Sequence, residues 1–203
     1  MNQNYQKMLE ELIRKNREKQ IVPSLVLHSC CAPCSSYCLE YLSSCFHITV
    51  FYYNPNIYPK EEYEKRVREQ ERFIAKLPVN NPVSFFAGEY DTDRFYQTVK
   101  GLEKMPEGGE RCRQCYKLRL SETAKFAACR GADYFTTTLS ISPHKNAQAI
   151  NEIGVTIGTE YGVSWLFSDF KKKDGFKRST ELSNQYGMYR QDYCGCIFSM
   201  RDQ

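Results

Sequence analysis

Cys30, Cys31 and Cys34 crowd three thiols into the stretch His28-Ser29-Cys30-Cys31-Ala32-Pro33-Cys34, directly after the apolar run Leu25-Val26-Leu27. A short apolar run bounded by Pro23 and Pro33 reads as a buried strand, so the thiols sit at its C-terminal end. In an open α/β sheet that edge is where ligands bind. Two further thiol pairs stand far off in sequence, Cys112-x-x-Cys115 and Cys194-Gly195-Cys196. A fold that brings the three groups together gathers seven sulfurs in one place, and this constrains the path of all the chain between them.

Composition narrows what those sulfurs are for. The chain has 203 residues, enough for one domain with a substantial core. Its net charge of +4 permits a nucleic-acid partner without demanding one. No apolar run approaches the roughly 20 residues of a membrane span. The stretch from Asn2 to Gln20 is polar and charged, with no signal-peptide core, so a cytoplasmic location is expected. Disulfides rarely persist there, and ten cysteines then read as metal ligands or catalytic thiols rather than a disulfide framework. Cys38, Cys45 and Cys129 stand apart from the motifs and are expected to be small buried hydrophobes.

Along the chain, Tyr5, Met8, Leu9, Leu12 and Ile13 recur at helical spacing, giving an amphipathic N-terminal helix over about 4–20. Strands are expected at Leu25–Ser29, His47–Tyr53, Val83–Ala87, Asp133–Thr137 and Val163–Phe167. Helices are expected over about Pro33–Ser43, Lys60–Leu77, Asp91–Lys100, Cys112–Arg130 and Asn146–Ile157. The third has Tyr63, Val67, Ile74 and Leu77 on one face; the fifth buries Tyr116, Leu120, Ala124, Ala127 and Ala128; the sixth has Ile150, Ile153 and Ile157 as its seam. From about 168 to 203 the chain is polar, aromatic, basic and cysteine-containing. Alternating strands and helices imply right-handed βαβ units in a Rossmann-like, open parallel sheet of about five strands with flanking helices. An order of 3-2-1-4-5 puts the Cys30/Cys31 turn in the crevice where the winding reverses. With no repeat or linker, 1–203 is expected to be a single α/β domain.

Cys112 and Cys115 start a helix, where residues three apart share a face and can reach one metal. The positive end of that helix favours thiolate over thiol, and the same holds for Cys34. Gly195 lets the backbone turn tightly between Cys194 and Cys196. A thioredoxin-type redox pair is a competing reading, but that motif starts a helix after a strand, whereas this one follows the loop Met105-Pro106-Glu107-Gly108-Gly109. A structural zinc on the two pairs would leave Cys30, Cys31 and Cys34 unexplained. An iron–sulfur cluster takes four thiolates, and the remaining three with an open position have the form of a catalytic metal site.

Around the thiols stand further candidates. His28 suits either packing or catalysis. The segment Asn54-Pro55-Asn56-Ile57-Tyr58-Pro59 reads as a turn or a substrate loop. The hydroxyls of Thr136-Thr137-Thr138-Leu139-Ser140 can bind phosphate or a nucleoside, or satisfy the backbone. Pro143-His144-Lys145 opens a helix and offers an anion site. Lys171, Lys172, Lys173, Lys177 and Arg178 form a basic run that, among Phe and Tyr residues, can hold a nucleic acid or simply be solvated. Arg111, Asp169 and Arg190 flank the cysteine motifs as groups that can support the ligands.

The blocks His28-x-Cys30-Cys31-Ala32-Pro33-Cys34, Tyr53-Asn54-Pro55-Asn56-Ile57, Arg111-Cys112-x-x-Cys115, Phe135-Thr136-Thr137-Thr138-Leu139 and Tyr189-Arg190-Gln191-x-Tyr193-Cys194-Gly195-Cys196 resemble the epoxyqueuosine reductase QueH family, in the family's order, over about Leu25 to Ser199. The resemblance implies a cobalamin-independent oxidoreductase that converts epoxyqueuosine in tRNA to queuosine. It also implies a 4Fe–4S cluster beside a separately held iron ion, fed by an external electron donor. Some relatives have Asp where this chain has Cys34, an exchange that suits a lone iron better than a cluster. The expected split puts Cys112 and Cys115 with one thiol from each other motif, Cys30 and Cys194, around the cluster, and Cys31, Cys34 and Cys196 on the iron. Within each of the pairs Cys30/Cys31 and Cys194/Cys196 the assignment stays open. His28, Tyr58 and Asp169 are the candidates for catalytic proton donor. The rival reading is a zinc-stabilised tRNA-binding module without redox chemistry.

Overall fold

The computed structural model describes residues 3–200. Five strands, β1 (Ser24–His28), β2 (His47–Tyr52), β3 (Val83–Ala87), β4 (Tyr134–Thr137) and β5 (Ser164–Trp165), form one sheet in the order β3-β2-β1-β4-β5. All pairs are parallel. The expected strand order and the open α/β architecture are therefore those observed. The fifth strand is shorter than the expected Val163–Phe167 span.

Central β1 is covered on both faces, which is why it reads as an unbroken apolar run. Successive residues point to opposite faces. Leu25 and Leu27 pack with Leu9 and Ile13 of α1 (Tyr5–Glu18), Leu39 and Leu42 of α2 (Ala32–Leu42), and Phe73 of α3 (Lys60–Lys76). Val26 faces the other layer, with Phe95 of α4 (Thr92–Thr98), Leu120 and Ala124 of α5 (Glu110–Cys129), and Ile150, Ile153 and Ile157 of α6 (Ala147–Tyr161). Two cores therefore sandwich the sheet. At its C-terminal edge His28 is in register with Phe51 on one side and Thr137 on the other, so the segments following β1, β2 and β4 leave the sheet together.

The tail contains a helix that its sequence pattern did not announce, α7 (Gly175–Gln185), docked on α2. Only Leu182 among its large apolar residues is buried; the contact otherwise uses Gly175, Ser179 and Ser183. A Cβ on Gly175 would come to 1.9 Å from the Phe170 carbonyl oxygen and 2.6 Å from the Tyr37 ring, so the approach requires glycine there. Met8, Ala128 and Cys129 are exposed rather than buried, because each falls just off the apolar stripe of its helix. On α3 the buried face is Tyr63, Arg66, Gln70 and Phe73, flanked by partly buried Val67 and Ile74, so two polar side chains occupy positions that periodicity alone reserves for apolar ones. Among the described residues, no helix is long and apolar enough to cross a membrane.

Candidate metal centre

Beyond His28 the chain turns under tight control. Ser29 N–H donates to the Phe51 carbonyl at 3.1 Å, and the Asn54 side-chain amide donates to the Ser29 carbonyl at 2.8 Å. Cys31 is then the N-cap of α2, its sulfur accepting from the Cys34 amide at 3.3 Å, and Pro33 sits in the first turn. The cap closes the loop so that the sulfurs of Cys30, Cys31 and Cys34 all lie within 4.8 Å of one another. Hydrogen bonds from Cys31 and Cys34 hold the Cys30 thiol well below its ordinary range. Burial pushes Cys31 up to about 12, and the hydrogen bond to Cys30 raises Cys34 well above the usual thiol value. Within the trio, negative charge is therefore favoured on Cys30 over its two neighbours.

The other four sulfurs collect elsewhere. Cys112 and Cys115 occupy the first turns of α5, where Cys112 accepts from Gly108 N–H at 3.3 Å. The Cys194-Gly195-Cys196 loop is fastened to the segment after β2, with Tyr58 N–H donating to the Gly195 carbonyl at 2.8 Å and Tyr193 O–H donating to the Tyr58 carbonyl at 2.7 Å. Gly195 has φ +103°, open only to glycine, and a Cβ there would lie 3.0 Å from both Arg66 and Ile57. Cys112, Cys115, Cys194 and Cys196 line one small, largely apolar cavity. Burial pushes Cys115 up to about 11 and Cys196 up to about 12. Cys194 also lines a second, larger cavity of about 450 Å³, together with Cys30 and Cys34. Three sulfurs thus stand close together after β1 and the other four line one cavity, with Cys194 on the wall of both cavities; Cys196 shares its cavity with Cys112 and Cys115, and Cys30 stands with Cys31 and Cys34.

The three candidate proton donors are dispersed. His28 is fully buried, with Nδ1 2.7 Å from Thr137 Oγ1 and Nε2 3.2 Å from the Tyr53 carbonyl oxygen, and burial brings its pKa down to about 3. Tyr58 is 43 % exposed and acts through its backbone. Asp169 opens onto a different cavity, next to Tyr5, and pairs with Lys171 at 3.0 Å. Thr136, Thr137 and Ser140 satisfy the loops after β4 and β5; Thr136 donates to the Leu166 carbonyl at 2.9 Å. Lys145 lines the large cavity, along with His144, Phe176 and Arg190. Burial opposes its positive charge, but the sulfurs of Cys194, Cys30 and Cys34 outweigh that and raise its pKa.

Pattern reading missed Arg66 and Arg119, two buried cations beside the sulfurs. Arg119 is buried on α5 with Nη2 donating to Asn54 Oδ1 at 2.6 Å, and its Nη1 lies 3.9 Å from the Cys115 sulfur. Buried Arg66 pairs with Glu62 at 2.7 Å and reaches the Cys194 carbonyl at 3.4 Å. The sequence signal for Arg119 was its position four residues after Cys115, on the same helix face. These cations bear on which group fits here. Seven free sulfurs in two sets form a soft, sulfur-rich donor array, and the donors Nη2 of Arg66 and Nε of Arg111 are buried around it without a hydrogen-bond partner. An anionic, sulfur-ligated metal centre suits both features.

Fold and site together define an open-sheet α/β protein with a cysteine-rich, arginine-walled site, able to hold a metal through Cys30, Cys31 and Cys34, at the edge where the winding reverses. A family model for "Epoxyqueuosine reductase QueH" matches residues 25–202. The chain is 42 % identical over 202 residues to the epoxyqueuosine reductase QueH of Streptococcus pyogenes serotype M1, covering 98 % of this chain and 79 % of that one. It is 43 % identical over 206 residues to the protein of the same name from Staphylococcus epidermidis, covering 98 % and 86 %. Identity to the Thermotoga maritima relative is 39 % over 186 residues, covering 89 % and 92 %. The chain belongs to the epoxyqueuosine reductase QueH family.

Proposed function

We propose that this chain reduces the epoxide of epoxyqueuosine in tRNA, giving the alkene of queuosine and water, without cobalamin. Two electrons and two protons enter, both carbon–oxygen bonds break, and the oxygen leaves as water. An external reductant must supply the electrons. The observation that carries the reading is the pair of sulfur groups, three and four, meeting at one cavity; the family match supports it.

In this reading Cys112, Cys115, Cys194 and Cys196 hold a 4Fe–4S cluster, and Cys30, Cys31 and Cys34 hold a single iron with an open position. When bound, the two groups supply the electrons and a Lewis acid for the epoxide oxygen. The large cavity lies within the range of small-molecule sites and can admit an unstacked modified base. Lys145 aims its charge at that cavity, and we assign its Nζ as hydrogen-bond donor to the departing oxygen in place of His28, Tyr58 or Asp169. Arg190 and Phe176 at the rim offer a cation and a ring for the flanking nucleotides. The enzyme acts in the cytoplasm as a single α/β domain.

Anaerobically reconstituted protein with a strong reductant should convert epoxyqueuosine-containing tRNA to the queuosine form with no cobalamin added. Lys145→Gln should lose about 100-fold in turnover, the usual worth of one donor to a developing oxyanion, with its iron retained. An intact epoxide in the wild-type assay, or protein that takes up zinc and no sulfide, would leave the rival tRNA-binding module standing.

A further inference from the structure

Two guanidiniums wall the four-cysteine cavity, and neither has a carboxylate. Arg119 is 1 % exposed and Arg111 is 3 % exposed. The third buried arginine, Arg66, is paired with Glu62 at 2.7 Å, and more exposed ones such as Arg94 and Arg178 also find glutamates. For Arg119 the partners are Asn54 Oδ1 at 2.6 Å, His28 Nε2 at 3.3 Å from Nε, and the Cys115 sulfur at 3.9 Å. Arg111 donates to the Glu103 carbonyl at 2.7 Å and to the Met105 carbonyl, stands over the Phe198 ring, and leaves Nε without a partner. Among the described residues no carboxylate oxygen comes within 4.0 Å of either.

A buried charge without a counter-charge is costly, and uncharged amides and carbonyls repay little of that cost. The ionisable groups of acid type within reach of Arg119 are sulfurs: Cys115 at 3.9 Å, with Cys30 and Cys194 close enough to act on it through space once they are thiolates, as metal ligation requires. Both arginines come from α5, the helix that also presents Cys112 and Cys115, so cation and ligand are set on one rigid element.

We infer that Arg119 is a positioning residue whose fixed charge, seconded by Arg111, is the counter-charge of the metal centre held by Cys112, Cys115, Cys194 and Cys196 and sets how readily that centre accepts an electron. The inference rests on the cofactor reading above. Four thiolates around a 4Fe–4S core give a net anion that gains a further negative charge on reduction, and net charge is among the determinants of such potentials. A cation locked against one ligand sulfur favours the reduced form. It also opposes dissociation of the ligand set.

The test separates charge from hydrogen bonding. Arg119→Lys keeps the charge and forfeits the three-way hydrogen bonding, whereas Arg119→Gln keeps an amide donor for Asn54 and forfeits the charge. In reconstituted protein, Arg119→Gln should lower the midpoint potential by at least about 59 mV, a tenfold change in a one-electron reduction constant. Arg119→Lys should stay within about threefold of wild type on that scale. Retention of bound metal against a chelator gives a second readout, valid whichever metal is present. There the Gln variant should lose metal at least tenfold faster than wild type, and the Lys variant should not. Loss of the centre from Gln alone counts for the proposal; loss from both, or unchanged potential and retention in both, overturns it. Wild-type protein that binds only zinc sinks the cofactor reading, while the chelator comparison still decides the role of Arg119.

Discussion

Cys34 sits in the first turn of α2 with its amide on the Cys31 sulfur, and it opens onto the large cavity beside Cys30. Asp in its place can still offer an oxygen to iron, and Ala offers nothing. Cys34→Asp should therefore keep the cluster absorbance and part of the activity. Cys34→Ala should keep the absorbance, lose one iron per chain, and lose turnover by more than the about 10–100-fold typical of an outer-shell change. Cys112→Ala should bleach the cluster instead. Iron per protein, read beside the visible spectrum of each variant, decides; bleaching by Cys34→Ala as complete as by Cys112→Ala would break the three-plus-four grouping. Cys38 is fully buried and donates to the Cys34 carbonyl, so its replacement by Ala should cost on the order of 1 kcal/mol, while exposed Cys129 should tolerate Ser at almost no cost. The residue types at this site were readable from sequence: all seven sulfurs, Asn54 and Lys145 lie in the motifs. Their grouping was not, because it hangs on the left-handed turn at Gly195 and on the Tyr58–Gly195 backbone bond, which join segments far apart in the chain. Arg119 and Arg66 escaped for a different reason, since a helix arginine is by default a surface residue.

At the level of elements, the basic run before and into α7 is less free than its sequence suggests. Lys171 is paired with Asp169, Lys173 with Glu10, and Arg178 with Glu40 and Glu181. Lys172 and Lys177 are exposed and, among the described residues, have no carboxylate within 4.0 Å. If the run meets RNA phosphates, replacing Lys172 and Lys177 together with Ala should weaken tRNA binding and reduce the slope of log affinity against log salt by about 0.7–0.9 for each phosphate no longer neutralised. Lys173→Ala should change that slope little. Binding measured across a salt series checks this, and an unaltered slope for the double variant would make the run solvated surface. The strands were legible element by element because a parallel sheet covered on both faces writes itself as apolar runs such as Leu25–Leu27. Helix α7 was not, because it docks through Gly175, Ser179 and Ser183, and small residues leave no hydrophobic period to read.

On the scale of the whole molecule, the order of the sheet sends the chain across its C-terminal edge repeatedly, and each sulfur motif lies on a different crossing. The four-cysteine cavity joins the start of α5 to a loop about 80 residues further on, the kind of separation at which a covalent tie removes about 4–5 kcal/mol of unfolded-chain entropy. A bound metal there would act as a removable rivet between the body and the C-terminal loop. Its loss would slacken one stretch of chain while the two hydrophobic layers held. Limited proteolysis should show this as cuts confined to about Gly187–Met200 in metal-stripped protein and protection of the same stretch once metal is restored; equal cutting in both states would refute it. The segment Gly187–Met200 would then work as a tamper seal, shut while the cavity is filled and open to a protease once it is empty.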